Sequence, residues 1–362
     1  MKKTTRREFM QAMGIGAVGL AAAACAPAAV PSPSTTAPGT PKASATARSV
    51  STVKITDIQV ASAAGSYIAA ERGYFKDEGI EVQFLAMGAG DQVTALVSGT
   101  ADLAGTAINA QLYNALGRGL SLKMLADHGA NLKGASAGGV LVRKDLADSG
   151  AWKGAASLKG KKVAQALVEA TPEISLYRYL QQGNLTFADV DNVVLGFPEQ
   201  LAAFANKSLD YAYGQEPFTT QGVDKGLVVR GPTGYDVYPS QQIAALTIGQ
   251  RLLSDKALTL AYLRAYVRGV RDYVKALIQK DQAMFDIVVP ILIKHTSVKD
   301  TAIFQKAIPS GLNPDPILNA KSITDDLQYF LTKGTVTQKY DISPYIDTDL
   351  VKQAIQAVGP FK

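Results

Sequence analysis

From Val53 onward, short apolar runs of strand length alternate with segments of helical period, and this rhythm constrains the fold more than any motif does. The runs Ile55 to Ala61, Val82 to Met87, Asp102 to Thr106 and Leu122 to Ala126 are separated by Tyr67 to Phe75, Gln92 to Ser98 and Asn109 to Leu116. Strand, helix, strand in this order predicts right-handed βαβ units and a mostly parallel sheet. After Gly138-Gly139 and the run Val140 to Arg143, a loop with Asp145, Asp148, Gly150 and Gly154 intervenes and the pattern restarts. Lys162 to Leu167 reads as a strand, and Thr171-Pro172-Glu173 opens a helix over Ile174 to Gln182, with Thr171 as N-cap and Pro172 at the first helical position. Val193 to Phe197 is the next strand, Pro198-Glu199-Gln200 opens another helix, and Leu209 to Tyr213 and Leu227 to Arg230 follow. From Ala244 the chain reads as helical, with apolar residues three and four apart in Leu258 to Leu277 and Ala283 to Ile293. The expected layout is α/β in two lobes, residues 53–141 with 245–362 and residues 142–244, each a mostly parallel sheet flanked by helices, with a helical C-terminal tail. Crossings between lobes are expected near Gly139 to Lys144 and Tyr238 to Ala245, the plan of a clamp that closes by hinge motion.

The N-terminal region predicts the compartment. Lys2, Lys3, Arg6 and Arg7 precede the apolar stretch Met13 to Ala24, which has signal-peptide length and is too short to span a bilayer. Thr5-Arg6-Arg7-Glu8-Phe9-Met10 resembles the twin-arginine export motif, an ordinary secretory leader being the other reading. Cys25, the single cysteine, ends that stretch after Ala21 to Ala24 and resembles a lipobox cysteine, although the run of alanines departs from the commoner Leu-Ala-Gly-Cys pattern. Residues 26–52, rich in Pro, Ser, Thr and Ala, read as a disordered tether between the lipid anchor at Cys25 and the folded part.

The formal charge of +6 then loses most of its meaning, because residues 1–51 hold six of the 37 Lys and Arg but only one of the 31 Asp and Glu. A nearly neutral body with no basic stripe argues against nucleic acid as a partner. One cysteine forms no intramolecular disulfide, so stability must come from apolar burial, for which about 300 residues are ample.

Two passages carry a family resemblance. Tyr67-Ile68-Ala69-Ala70-Glu71-Arg72-Gly73-Tyr74-Phe75-Lys76-Asp77-Glu78-Gly79-Ile80-Glu81-Val82 is followed by Ala95-Leu96-Val97-Ser98-Gly99-Thr100-Ala101-Asp102. Leu158-Lys159-Gly160-Lys161-Lys162-Val163 is followed by Leu209-Asp210-Tyr211-Ala212 and Glu216-Pro217-Phe218. In order and spacing these resemble the substrate-binding proteins of ABC importers for nitrate, sulfonates and the thiamine pyrimidine precursor, the NMT1/THI5-like family, over about residues 53–245. The resemblance implies a type II periplasmic-binding-protein clamp, a small-molecule solute and an ABC permease partner; some relatives are enzymes that carry a cysteine-rich iron motif, which this sequence lacks, so no enzymatic activity is expected. The chain is expected to be a monomer, exported and held at the outer face of the membrane by its lipid alone.

Gly73 reads as a helix-ending residue in the left-handed region, so the first passage is scaffold. In open α/β sheets ligands sit beyond the carboxyl ends of strands, and the turns there supply the candidates. The first lobe offers Ser66, Tyr67, Asp91, Thr106, Asn109 and Asp127; the second offers Glu169, Thr171, Phe197, Glu199, Gln215 and Glu216, with Tyr235 near the second crossing. These turns contain acids, amides and aromatics but no Arg or Lys, which favours a planar heterocycle of the riboflavin or thiamine-precursor class over a sulfonate or nitrate anion. Helix N-termini bind anions unaided, so the anion stays as the alternative.

Sharper motifs lack their context. Gly14-Ile15-Gly16-Ala17-Val18-Gly19 fits the dinucleotide pattern but lies in the leader, with no strand before it. Gly134-Ala135-Ser136-Ala137-Gly138 fits the nucleophile elbow of a serine hydrolase, yet no apolar strand precedes Ser136. Two histidines, His128 and His295, with no cysteine beyond Cys25, cannot assemble a four-ligand His/Cys metal site, and neither metal nor cofactor is expected.

Overall fold

A computed structural model describes residues 50–361. Cys25, the leader and the tether up to residue 49 lie outside the described residues, while Ser51 and Thr52, expected in the tether, already belong to β1 because they pair with Ile80 and Glu81 of β2. Ten strands form two five-stranded sheets: β1 Ser51–Asp57, β2 Ile80–Ala86, β3 Leu103–Ala107, β4 Lys123–Ala130, β5 Gly138–Arg143, β6 Lys162–Gln165, β7 Asp191–Val194, β8 Tyr211–Gln215, β9 Val228–Thr233 and β10 Gln242–Ile248. The first sheet has the order β2-β1-β3-β10-β4 and the second β7-β6-β8-β5-β9. In each sheet four strands run one way and one, β10 or β5, runs against both its neighbours. The α/β two-lobe architecture holds, and the sheets are mixed.

The chain leaves the first sheet after Ala130, enters the second at Gly138, and returns between Thr233 and Gln242. β10 departs from the expectation of a helical chain from Ala244: Gln242–Ile248 is a strand in the middle of the first sheet. A strand buried on both faces reads as an apolar run without alternation, which periodicity cannot tell from a buried helix. The first crossing lies before Gly138 and not at Gly139 to Lys144, because Gly138–Arg143 already pairs in the second sheet, and the strand expected at Val193 to Phe197 is Asp191–Val194, with Phe197 opening the next helix. Other expectations shift locally. Strand β1 ends at Asp57 and not at Ala61. The helix Thr171–Gln182 has Ala170 as its N-cap residue, with Thr171 already inside the first turn and 1% exposed.

The scaffold passage behaves as its residues dictate. Helix Ala64–Glu71 is followed by Gly73 at φ +77°, and Gly79 at φ +72° turns the chain into β2. The helical tail begins after β10 and packs on the first lobe through Lys256–Tyr273, whose Tyr262, Tyr266, Val270 and Tyr273 are fully buried. Its helices start on side-chain caps: Asp255 accepts from Leu258 N at 2.9 Å and Asp281 from Met284 N at 3.0 Å. Among the described residues no helix is long and apolar enough to cross a membrane.

Candidate functional site

Because one strand in each sheet runs against the rest, the carboxyl ends of β1 to β4 share one edge of the first sheet, and those of β6 to β9 share one edge of the second. The edges meet at a backbone bridge between Asn109 and Ala170, where Ala110 N donates to Glu169 O at 2.9 Å. Asn109 and Glu169, expected on opposite lobes, are thus brought together. Asn109 also caps helix Ala110–Gly117, accepting from Leu112 N at 2.8 Å. Glu169 holds φ +57°, and its N–H donates to Glu173 Oε2 at 2.9 Å.

A pocket opens on the first-lobe edge, lined by Thr56, Asp57, Ser66, Tyr67, Phe84, Gln92, Gly105 and His128, with Ile55, Ile58 and Ala63 beside them. No Lys or Arg lines it. Asp57 Oδ1 accepts from the Tyr67 hydroxyl and from Gln59 N at 2.7 Å. Gln92 Nε2 donates to Thr56 Oγ1 at 2.8 Å. The His128 ring extends from β4 over Gly105, where a Cβ would stand 2.1 Å from Nε2. Burial pushes the His128 imidazole down to about 4, so it is neutral at pH 7 and brings no positive charge. A second cavity, lined by Ser136, Gly138, Thr219, Arg230, Thr233 and Ile308, opens at the strands β5 and β9.

The expected site residues divide between cleft and scaffold. Ser66 and Tyr67 line the first pocket, but Ser66 Oγ is occupied by Tyr262 Oη at 2.8 Å. Tyr67 is fully buried and stacks on His295 with ring centroids 4.7 Å apart, so its ring is not free to receive a solute by stacking. Burial and the hydrogen bond to Asp57 push its phenol far up. Thr106 is turned to Thr247 and the Ala245 carbonyl inside the sheet. Asp127 anchors the tail: it accepts from Asn313 N at 2.8 Å, Gly129 N at 2.9 Å and Gln242 Nε2 at 2.6 Å, while burial raises its carboxyl to about 6. Asp91 and Glu199 are exposed at helix starts, Thr171 is buried, and Tyr235 is half-buried. Phe197 stacks on Phe218 at 5.6 Å, and Gln215 pairs with Gly138 between β8 and β5. Glu216 is committed to Arg230, to Thr220 Oγ1 at 2.7 Å and to Ile308 N at 3.3 Å.

Thr56, Asp57, Phe84, Gln92 and Gly105 line the candidate pocket without having been singled out from the sequence. Extending β1 to Ala61 placed its carboxyl end four residues too late and hid Asp57 inside a strand. The polar residue closing the alternation of Val53 and Ile55 was the available signal.

Ser136 sits 2% exposed with its hydroxyl donated to Asn131 Oδ1 at 2.8 Å, an amide in the place a hydrolase base would need. His128 is engaged elsewhere, with Nδ1 3.3 Å from Tyr266 Oη. Among the described residues no group of three or more His, Cys, Asp and Glu is placed to hold a metal ion.

Residues 61–283 match the family model described as NMT1/THI5 like. The chain belongs to this family. No curated protein matches it. Among solved structures, the family fold places it beside the periplasmic aliphatic sulphonate binding protein of Escherichia coli, at 21% identity and TM-score 0.66, covering 82% of this chain and 92% of that one. The periplasmic nitrate-binding protein of Synechocystis PCC 6803 is similar at 18% identity and TM-score 0.63, over 85% and 89%. The desulfurization enzyme DSZB follows at 16% identity and TM-score 0.58, over 85% and 99%. The fold is therefore that of periplasmic binding proteins, shared with at least one enzyme.

Proposed function

We propose that this chain is the solute-binding component of an ABC importer, a non-enzymatic clamp that hands a small molecule to a permease. The observation that carries the reading is the meeting of two strand-end edges, touching at Asn109 and Ala170, with a polar pocket on the first edge. Export and anchoring through Cys25 belong to the same proposal, as does the monomeric state.

For the solute, the sulphonate- and nitrate-binding neighbours support a small oxyanion better than the vitamin-like heterocycle that the sequence favoured. Backbone N–H groups would have to hold it, since no Lys or Arg lines the first pocket and Arg230 of the second cavity is already paired with Glu216. The heterocycle keeps one supporting observation, the half-buried Phe84 face beside Asp57.

A thermal-shift screen of ethanesulfonate, taurine, nitrate, riboflavin, thiamine and its pyrimidine precursor on residues 50–362 tests the reading. A ligand at a hundred times its Kd stabilises by about 2.7 kcal/mol, with no turnover of the ligand. Stabilisation accompanied by turnover would overturn the binding-protein reading. Cys25→Ser should release the full-length protein from membranes with affinity unchanged; retention after a carbonate wash would remove the anchor from the proposal.

A further inference from the structure

The first-lobe pocket presents hydrogen-bond acceptors. Asp57 is 8% exposed, and Oδ1 is saturated by Tyr67 and Gln59. Among the described residues Oδ2 has no hydrogen-bond partner, and it is not sealed from solvent. His128 gives a second acceptor by elimination. The Tyr266 hydroxyl spends its proton on the Asp127 carbonyl at 2.8 Å, so the contact between Tyr266 Oη and His128 Nδ1 at 3.3 Å requires the proton on Nδ1. In the neutral ring Nε2 is then a bare lone pair, and it too has no partner among the described residues and is not sealed. Two acceptors in one pocket, with no Lys or Arg beside them, are left unmet once a solute displaces the solvent unless that solute donates.

Resting on the solute-binding reading, we propose that the pocket selects a solute bearing an N–H group, an ammonium or a ring amino group, which donates to Asp57 Oδ2 and His128 Nε2. The rest of the solute is free to be a sulfonate or a ring, so the amino end and not the anion becomes the specificity element of this lobe. Phe84, half-buried beside Tyr67, supplies the apolar wall along the carbon skeleton.

Matched pairs in which a methyl replaces the amino group isolate this end: taurine against 1-propanesulfonate, and 4-amino-2-methylpyrimidine against 2,4-dimethylpyrimidine. Calorimetric titration of residues 50–362 should give, for at least one pair, an amino member that binds about tenfold or more tightly, the worth of a hydrogen bond to a carboxylate. Asp57→Asn keeps Oδ1 for Tyr67 and Gln59 but turns the second position into a donor, and should erase that preference. Equal or tighter binding of the methyl members overturns the proposal, as does a preference that survives in an Asp57→Asn protein with wild-type melting temperature. Should Asp57→Asn not fold, the wild-type ratios decide alone. Binding of ethanesulfonate or nitrate with no response to either amino probe sinks the amino end and leaves the importer reading standing; silence across every probe sinks both.

Discussion

Gly105 is the residue on which the first pocket depends. Any side chain there would run into His128, with Nε2 at 2.1 Å and Cδ2 at 2.3 Å from a Cβ, and that ring is buried and held at Nδ1 by Tyr266. Overpacking of this kind costs about 1–3 kcal/mol when the neighbour has to shift. Gly105→Ala is therefore expected to lower the melting temperature measurably and to weaken or abolish solute binding, both read in one thermal-shift series. Unchanged affinity in the variant would remove His128 from the site. At this scale the sequence was readable only in part. Tyr67 was expected as a stacking partner for the solute, whereas its ring packs on His295, a contact that only the fold creates. The neutrality of His128 likewise depends on burial, which no local pattern encodes.

At the scale of elements, the packing of helix Ala64–Glu71 on helix Lys256–Tyr273 rests on two glycines. A Cβ on Gly269 would come within 2.1 Å of the Gly65 carbonyl oxygen, and one on Gly65 within 2.6 Å of Tyr266 and Val270. The obstacle at Gly269 is backbone, which cannot swing aside as a side chain does. Gly269→Ala should cost about 3 kcal/mol, the upper end of overpacking, even though alanine favours the helix by about 1 kcal/mol over glycine. Urea unfolding checks it; a variant as stable as the parent would mean that the helices separate freely. The helix-strand alternation was legible through residue 233 because amphipathic helices and short apolar strands differ in period. β10 was not, since Ile243 to Ile248 carries no alternation and its place between β3 and β4 is decided by sheet closure, not by sequence neighbours.

The whole molecule is joined by a buried polar knot between its lobes. Gln241, fully buried, accepts at Oε1 from Ser175 Oγ at 2.7 Å and Asn131 Nδ2 at 3.2 Å, and donates from Nε2 to the Thr171 carbonyl at 3.3 Å and to Asp326 Oδ2 at 3.1 Å. Both segments that connect the sheets, the second-lobe helix and the tail therefore meet at one side chain. Asp326 is the titratable member, with Arg178, Tyr238 and Asp325 around it, and its Oδ1 has no partner among the described residues. Burial raises its carboxyl to about 7, against the Gln241 hydrogen bond that favours the charged form. Between about pH 4 and pH 7 the folded protein thus holds a proton here that the unfolded chain has released, so stability falls as pH rises through that window. The neutral His128 acts oppositely: its imidazole, lowered to about 4, makes stability rise with pH up to the ordinary histidine value of about 6.5. The wild-type profile alone is therefore ambiguous, and a difference measurement separates the two. Asp326→Asn keeps the amide-sized group but removes the titration, so wild type minus variant should be near zero at pH 4. It should then turn against the wild type by a few kcal/mol by pH 8, because holding that proton in the fold loses about 1.4 kcal/mol for each pH step across the window. Guanidinium unfolding of both proteins at five pH values measures this directly. A difference that stays flat across the range would mean that Asp326 ionises as freely in the fold as in water, and that water reaches the knot joining the lobes.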